Sequence, residues 1–226
     1  QQAAEGVLRT SMELGGNAPF VVFDDADLDT AVDAAMLAKF RNIGQACTAA
    51  NRFIVHRTVA DEFAARVTER VQAMRIGRGT EDGVTVGPLI DDRAVAKADE
   101  LVRDAVARGA VVRTGGTPID GPGSIYTPTV ITDIQPGSEI LREEIFGPVL
   151  AIIPFDTEDD AVALANDTEY GLVSYVFTEN LARGQRMIDR LETGMMGLNI
   201  GVVSNAAAPF GGVKQSGVGR EGGLEG

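Results

Sequence analysis

The only cysteine of the chain, Cys47, has a position that suits a nucleophile. It lies on a predicted connection, after a helix that ends near Phe40 and before a strand that begins near Phe53, where Gly44 allows a tight backbone path. Loops at the ends of strands and helices carry chemistry more often than the elements they connect. A thiolate exposed on this loop could attack a carbonyl carbon. The alternative is an inert thiol, buried like any small apolar side chain.

One acidic residue, Glu13, stands between Met12 and Leu14 and is followed by two glycines and a strand-like run at 19–23. A carboxyl group that is partly removed from water has a raised pKa, which makes it a better general base near neutral pH. The pattern therefore suggests a base that could activate water. A surface glutamate beside a turn explains the same residues without any chemistry.

Two further segments have residue types suited to ligand binding. Glu144 and Phe146 join a charged turn to a strand; a carboxylate can accept two hydrogen bonds from a ribose diol, and a phenylalanine can cover a ring. The glycine-rich stretch 209–221 could approach a ligand closely, but it lacks the Gly-Lys-Ser/Thr ending of a phosphate cradle. By themselves, both segments are equally typical of solvent-exposed loops. The single histidine, His56, has no partner ligands nearby in the sequence, so no metal site is predicted.

The composition excludes several classes of function. The 226 residues are 44% apolar and 23% charged, a globular balance with ample material for a core. The net charge of −13, from 33 acidic and 20 basic residues, argues against nucleic-acid binding. No apolar run approaches the roughly 20 residues of a membrane helix, and the first residues lack a signal-peptide pattern. One cysteine excludes an internal disulfide and fits a reducing compartment, so we expect a cytoplasmic protein.

Strand-like runs alternate with segments of helical period, and this alternation predicts an α/β fold with a mostly parallel open sheet flanked by helices. The predicted strands lie at 19–23, 53–56, 111–112, 129–131, 150–153, 175–177 and 195–200. The predicted helices are one that follows Asp27 as an N-cap and others at 59–74, 91–108, 158–166 and 181–191. Sites in such sheets lie beyond the carboxyl ends of strands, where we expect the loops after residues 14, 43, 146 and 200 to meet.

Four segments together resemble signatures of the aldehyde dehydrogenase superfamily. Each is a weak pattern alone, but their order and spacing are specific, and the match covers essentially the whole chain. They are Glu13-Leu14-Gly15-Gly16, Gly44-Gln45-Ala46-Cys47, Glu144-Ile145-Phe146-Gly147-Pro148 and Pro209-Phe210-Gly211-Gly212. The resemblance implies that residues 1–226 form a catalytic domain of this family.

The resemblance also implies a mechanism. Cys47 would attack an aldehyde to give a thiohemiacetal, hydride would leave to the nicotinamide of NAD or NADP, and Glu13 would activate the water that hydrolyses the resulting thioester. The family's oxyanion hole pairs the backbone N–H of the nucleophile with an asparagine from an earlier segment. A base that delivers water separates this chain from the coenzyme A-acylating branch, so a free carboxylic acid is the expected product.

Binding roles follow from the same resemblance. Glu144 would bind the nicotinamide ribose, Phe146 and Leu172 would lie near the nicotinamide, and Phe210 would line the substrate tunnel. The sequence cannot decide between NAD and NADP, because the residues that contact the adenosine ribose belong to an earlier segment of the family.

The stretch 39–45 resembles the succinate-semialdehyde dehydrogenase branch of the family. In that branch an arginine six residues before the nucleophile binds the distal carboxylate of the substrate, and Arg41 has this position. A guanidinium suits bidentate carboxylate binding. Ser204 matches a branch serine that adds a hydrogen bond. A cation that satisfies the dipole at a helix C-terminus is the alternative explanation for Arg41.

The chain also departs from the family pattern. Ala49 stands where some members of the branch have a second cysteine, so a disulfide switch within this loop is not available. The cofactor-binding domain, the oxyanion asparagine and the C-terminal oligomerisation strand are absent from this chain. We therefore expect an inactive fragment of an enzyme that assembles as a homo-dimer or homo-tetramer.

Three other readings of the sequence stay open. The same chemistry could act on another aliphatic or aromatic aldehyde. The chain could be a non-enzymatic piece with an idle thiol. Cys47 and Glu13 could also hydrolyse activated esters without a nicotinamide. In the enzymatic readings the partner is a small molecule, with neither nucleic acid nor membrane involved.

Overall fold

A computed structural model of the chain describes residues 2–121 and 123–224. The strands within them are β1 (Met12–Glu13), β2 (Ala18–Val22), β3 (Ala50–His56), β4 (Val111–Thr114), β5 (Thr129–Thr132), β6 (Val149–Phe155), β7 (Tyr170–Gly171), β8 (Val173–Phe177), β9 (Met195–Leu198), β10 (Val213–Lys214) and β11 (Gly217–Val218). The α-helices are α1 (Gln2–Glu5), α2 (Leu28–Phe40), α3 (Arg57–Gln72), α4 (Asp92–Ala107), α5 (Glu158–Asn166) and α6 (Leu181–Arg190). Two 3₁₀ helices span Arg41–Gly44 and Glu139–Leu141.

Seven of the described strands form one sheet in the order β4-β5-β6-β3-β2-β8-β9. All neighbouring pairs are parallel except β4 and β5, which are antiparallel at one edge. This confirms the predicted mostly parallel sheet flanked by helices. Every residue of β2 is buried, as expected for a central strand of a sheet that is covered on both faces.

The two faces of the sheet have separate cores because successive side chains of a strand point to opposite sides. Phe20 packs with α2 and α3 on one face, where its ring centroid lies 4.9 Å from that of Phe53 and 4.6 Å from that of Phe177. Val21 packs with α5 and α6 on the other face. The sheet is therefore a rigid platform for the loops at its ends.

Helix starts follow the capping chemistry in the sequence. The side chain of Asp27 accepts hydrogen bonds from the backbone N–H groups of Asp29 and Thr30 at the start of α2, which confirms the predicted N-cap. Thr157 and Asp160 form a reciprocal capping box at the start of α5. The bounds of α5 agree with the predicted helix at 158–166.

Two short antiparallel ribbons were not predicted from the sequence. β1 pairs with β11, with Met12 opposite Val218, and β10 pairs with β7, with Val213 opposite Gly171. Strands of two residues are too short to show an alternating pattern. These ribbons bring the glycine-rich tail back to the segment that contains Glu13. Among the residues described, none of the helices combines the length and apolar character needed to cross a bilayer.

Candidate active site

The candidate residues meet at the amino ends of the parallel strands. Glu13, Cys47, Glu144 and Leu172 precede β2, β3, β6 and β8 respectively. The expectation of a site beyond the carboxyl ends was wrong for the loops after residues 14, 43 and 146, which enter strands. Of the four predicted loops, only the one after residue 200 follows the carboxyl end of a strand, β9. Four segments that are far apart in sequence are thereby placed side by side.

The loop that carries Cys47 begins with an unusual turn. After α2 the chain passes through Asn42, Ile43 and Gly44 with φ values of 53°, 61° and 76°, all in the left-handed region. Such conformations cost non-glycine residues about 1–2 kcal/mol each. A Cβ at Gly44 would overlap the carbonyl oxygen of Gly147, so the nucleophile loop packs directly on the loop that follows Glu144.

Cys47 is half-buried, and its thiol has a raised pKa. Burial is the largest cause, and the negative charges of Glu144 and Glu13 act in the same direction. The structure lies between the two alternatives left open by the sequence: the thiol is partly covered, and its raised pKa disfavours the thiolate. A nucleophilic attack from Cys47 needs a base that takes the thiol proton.

Glu13 has the environment expected of a general base. Neither carboxylate oxygen is exposed to solvent, and neither has a hydrogen-bond partner among the described residues. Burial and the charge of Glu221 raise the pKa of this carboxyl, and Arg220 opposes them. A Cβ at Gly211 would lie 3.0 Å from Oε1 of Glu13, so the tail loop closes over the carboxylate. Unpaired and desolvated, Glu13 is suited to accept a proton from a thiol or water.

Glu144 is held against the nucleophile loop by Gly16. The backbone N–H of Gly16 donates to Oε1 of Glu144 at 2.9 Å, across 128 residues of sequence. Burial raises the pKa of this carboxyl, and the Gly16 hydrogen bond together with Lys97 and Lys39 opposes the rise. Because Oε1 is occupied by Gly16, Oε2 remains for a ligand.

Apolar side chains flank the same region. Leu172 is buried, and a Cβ placed on Gly16 would lie 3.6 Å from the Cβ of Leu172. Phe146 is 39% exposed and has a positive φ of 51°, a strained conformation that presents a large ring to solvent. The structure therefore brings Leu172 next to the Gly16–Glu144 contact, with Phe146 two residues beyond Glu144.

The three residues predicted to bind the substrate lie on separate segments of the chain. Arg41 is exposed directly after α2, and its Nη2 donates to Oγ1 of Thr48 at 3.3 Å. Phe210 exchanges backbone hydrogen bonds of 2.7 Å with Glu221, beside the segment that covers Glu13. Ser204 lies on an exposed loop after β9 and shares no hydrogen bond with Arg41 within the described part of the chain.

Sequence reasoning missed a buried lysine beneath the site. Lys39 is fully buried, and its Nζ donates to Oδ1 of Asn51 at 2.9 Å. Burial lowers the pKa of Lys39 to about 7, and Glu144 opposes the shift. A signal was available, because Lys39 continues the buried face of α2 that contains Val32 and Ala35 at helical spacing.

No group of three or more potential ligands of the His, Cys, Asp and Glu types is clustered in the described residues. The ring of His56 instead caps α3: Nδ1 lies 2.8 Å from Oγ1 of Thr58, and Nε2 lies 3.1 Å from the carbonyl oxygen of Asp156. A structural role accounts for this residue.

Comparison with known proteins identifies the family of the chain. The aldehyde dehydrogenase family profile matches residues 1–226. The chain is 56% identical over 224 residues to a succinate-semialdehyde dehydrogenase of Paenarthrobacter nicotinovorans, covering 99% of this chain and 50% of the relative. It is 48% identical to a glutarate-semialdehyde dehydrogenase of Pseudomonas aeruginosa, covering 98% of this chain and 46% of the relative.

A crystal structure of succinate-semialdehyde dehydrogenase from Burkholderia pseudomallei superposes with a TM-score of 0.96 at 48% identity, covering 98% of this chain and 46% of that one. The chain thus spans about half the length of the curated relatives it matches. Sequence profile, sequence identity and structural likeness agree, and the chain belongs to the aldehyde dehydrogenase family.

Proposed function

We propose that this chain is the catalytic domain of an NAD(P)-dependent dehydrogenase that oxidises a short aldehyde acid, foremost succinate semialdehyde, to the corresponding dicarboxylic acid. The observation that carries the proposal is the convergence of Cys47 with two desolvated carboxylates, Glu13 and Glu144, both of which raise the pKa of its thiol. This set supplies a nucleophile, a base and a ligand carboxylate within one site.

Glu13 transfers the protons of the reaction, and Cys47 forms the covalent bond to the substrate. Glu13, unpaired and desolvated, takes the proton of the Cys47 thiol, and the sulfur attacks the aldehyde carbon to form a thiohemiacetal. Glu13 returns this proton to the oxygen of the adduct, and the proton leaves to solvent during oxidation to the thioester, so Glu13 is again a carboxylate. Glu13 then takes a proton from water, the hydroxide displaces the Cys47 sulfur as thiolate and releases the acid, and Glu13 returns the proton to the sulfur. A raised pKa suits both transfers, because such a carboxylate binds and releases protons closer to neutral pH.

The site fits part of a nicotinamide nucleotide. Gly15 and Gly16 form a cradle that side chains would fill, since a Cβ at Gly15 would lie 2.8 Å from Oε2 of Glu144. We assign Oε2 of Glu144 to a ribose hydroxyl, and Leu172 and Phe146 to apolar contacts. Bound at this position, a nicotinamide would supply the hydride acceptor for oxidation of the thiohemiacetal. The remaining contacts, and the choice of NAD or NADP, belong to a further part of the enzyme.

We assign the substrate carboxylate to Arg41, with Ser204 as a second donor from the loop after β9. Arg41 is exposed, and one of its terminal nitrogens is anchored on Thr48, next to the nucleophile. The remaining N–H groups of the guanidinium can bind a carboxylate in a bidentate manner. Two of the relatives bear names of semialdehyde dehydrogenases whose substrates are aldehyde acids of this kind.

Substrate kinetics of the complete enzyme test the assignment. Arg41→Ala should raise KM for succinate semialdehyde by about 10- to 100-fold, the loss of a charge-assisted contact, and leave KM for butanal within about twofold. Arg113→Ala, on the edge strand β4, is the matched control and should change neither value. Equal effects of Arg41→Ala on both aldehydes would remove the carboxylate assignment.

The domain assignment has its own test. The chain alone, mixed with succinate semialdehyde and either NAD or NADP, should produce no absorbance from reduced nicotinamide, because it would lack most of the cofactor site. A signal that is abolished by Cys47→Ala would show that this domain binds enough cofactor by itself, and the proposed division of labour would be wrong.

A further inference from the structure

Thr48, the residue after the nucleophile, is held from two sides by side chains of different elements. The hydroxyl of Tyr175, on β8, donates to the carbonyl oxygen of Thr48 at 2.8 Å. Nη2 of Arg41, directly after α2, donates to Oγ1 of Thr48 at 3.3 Å. Thr48 itself is only 5% exposed, so the hydroxyl that meets Arg41 is set into the protein.

The Tyr175 side of this arrangement is rigid. Tyr175 is 1% exposed in the middle of the sheet, and its ring centroid lies 5.8 Å from that of Phe20. The buried aromatic cluster fixes the ring, and with it the position of the hydroxyl. Thr48 is thereby tied to the sheet, and Cys47, one peptide away, shares that anchor.

The contact with Thr48 orders part of the Arg41 side chain before a ligand binds. An arginine side chain that is free in water occupies many rotamers, and fixing it in one of them costs entropy at the moment of binding. Because one terminal nitrogen of Arg41 is already bound to Thr48, part of that ordering precedes ligand binding. The side chain is exposed, so its other N–H groups are accessible to a ligand.

We propose that Thr48 is a positioning residue that sets the distance between the Cys47 sulfur and the Arg41 guanidinium, and thereby selects the chain length of the aldehyde acid. The inference rests on the proposed function, because it takes Arg41 as the carboxylate site. A substrate with one more or one fewer methylene places its aldehyde carbon away from the sulfur when its carboxylate is held at a fixed point. A guanidinium without this anchor adapts to both lengths and discriminates less.

Alkylation of Cys47 tests the geometry on this chain without any cofactor. Iodoacetate and iodoacetamide differ in the carboxylate, and Cys47 is the only thiol, so the ratio of their second-order rate constants reports how well Arg41 presents an anion to the sulfur. Thr48→Val removes the hydroxyl at nearly constant shape and should lower this ratio about three- to tenfold, with the iodoacetamide rate within about twofold. Thr48→Ser, which keeps the hydroxyl, should restore the ratio.

Three further variants distinguish a failure of the proposed function from a failure of the positioning role. Arg41→Ala reports on the proposed function: if it leaves the ratio unchanged, the carboxylate assignment fails. If Arg41→Ala lowers the ratio and Thr48→Val does not, only the positioning role is overturned. Thr80→Val, in an exposed turn, is the matched control. Circular dichroism verifies that each variant folds. If Thr48→Val is unstable, Tyr175→Phe replaces it in the test; this change removes only the hydroxyl that anchors Thr48 and should also lower the ratio.

Kinetics of the complete enzyme give the second readout. Thr48→Val should reduce the preference between succinate semialdehyde and glutarate semialdehyde, expressed as a ratio of kcat/KM values, by about three- to tenfold. The change should appear mainly in KM, because the thiol and Glu13 are untouched. A loss of kcat with unchanged selectivity would mean that Thr48 merely supports the loop, and the inference would be withdrawn.

Discussion

Gly16 packs with its Cα against the carbonyl oxygen of Cys47, leaving no room for a side chain between the two residues. The backbone N–H of the same glycine donates to Glu144 at 2.9 Å. One residue without a side chain therefore lies between Cys47 and Glu144 and contacts both. The paired glycines of this segment are a steric requirement of the site as well as a feature of the turn.

Gly16→Ala should disrupt the site locally. The added methyl group overlaps the Cys47 carbonyl oxygen, so the nucleophile loop must shift, at a cost of about 1–3 kcal/mol in the free energy of unfolding. We expect an altered rate of Cys47 alkylation and a loss of turnover in the complete enzyme. Gly79→Ala is the matched control, because nothing lies within 4 Å of a Cβ at Gly79. Equal thermal stability and alkylation rates of the two variants would contradict the steric argument.

Glu13→Gln should separate the chemical steps. The amide cannot take a proton from water, so we expect kcat of the complete enzyme to fall by about 10²–10⁴-fold through slow thioester hydrolysis. In the enzyme without this substitution, the pKa of Glu13 is raised, so activity should fall as the pH drops through a value above the usual range of glutamate. Glu221→Gln removes one cause of the shift and should move this acidic limb to lower pH.

The thioester itself gives the direct measurement for Glu13. At an alkaline pH, where the Cys47 thiol ionises without a base, rapid quenching followed by mass spectrometry should detect an acyl group on Cys47 in Glu13→Gln that does not accumulate in the parent enzyme. If hydrolysis proceeds at the parent rate in Glu13→Gln, another group activates water, and the assignment of Glu13 as the base is incorrect.

Local patterns were the part of the fold that the sequence predicted well. Asp27 caps a helix because its side chain meets N–H groups two and three residues away, and such contacts depend only on neighbouring residues. The alternation along β2 likewise places Phe20 and Val21 on opposite faces. The hydrogen bond from Gly16 to Glu144 crosses 128 residues, so no local pattern could indicate it.

The sequence could name candidate site residues but could not give their environment. The family motifs identified Cys47 and Glu13, yet only the packed structure shows that burial and two carboxylates raise the pKa of the thiol. Lys39 was read as part of a motif, although a lysine on the buried face of α2 already indicates an unusual group. The pairing of Tyr175 with Thr48 depends on β8 lying beside β2, which is a property of the sheet order.

The charge of Glu144 should be visible in the reactivity of Cys47. Burial and Glu144 raise the pKa of the thiol, so alkylation by iodoacetamide should become half-maximal at a pH above the ordinary range of cysteine. Glu144→Gln removes a negative charge and should shift the profile to lower pH, with faster alkylation at pH 8. Glu143→Gln, its exposed neighbour, is the matched control. Identical profiles for the two variants would show that Glu144 does not act on the sulfur.

Lys39→Met should change the pH dependence of stability. In the folded state the pKa of Lys39 is lowered to about 7, whereas the unfolded chain has the ordinary value near 10.5. Between these values the unfolded state binds more protons, so the lysine makes the free energy of unfolding rise as the pH increases from about 7 to 10. The full shift is equivalent to about 5 kcal/mol. Methionine fills similar space without a charge, so the variant should be more stable than the parent at pH 6. Its free energy of unfolding should also lack the rise between about pH 7 and 10 that Lys39 causes.

Chemical denaturation of the chain at several pH values between 6 and 10 measures the difference between parent and Lys39→Met. Taking the difference removes the contributions of titrating groups that do not interact with Lys39. Lys97→Met removes an exposed ammonium, with a side chain 44% exposed, and should leave the slope unchanged. A pH-independent difference between parent and Lys39→Met would mean that the buried lysine keeps the same protonation state throughout. In that case the burial of Lys39 against Asn51 would have no influence on its titration.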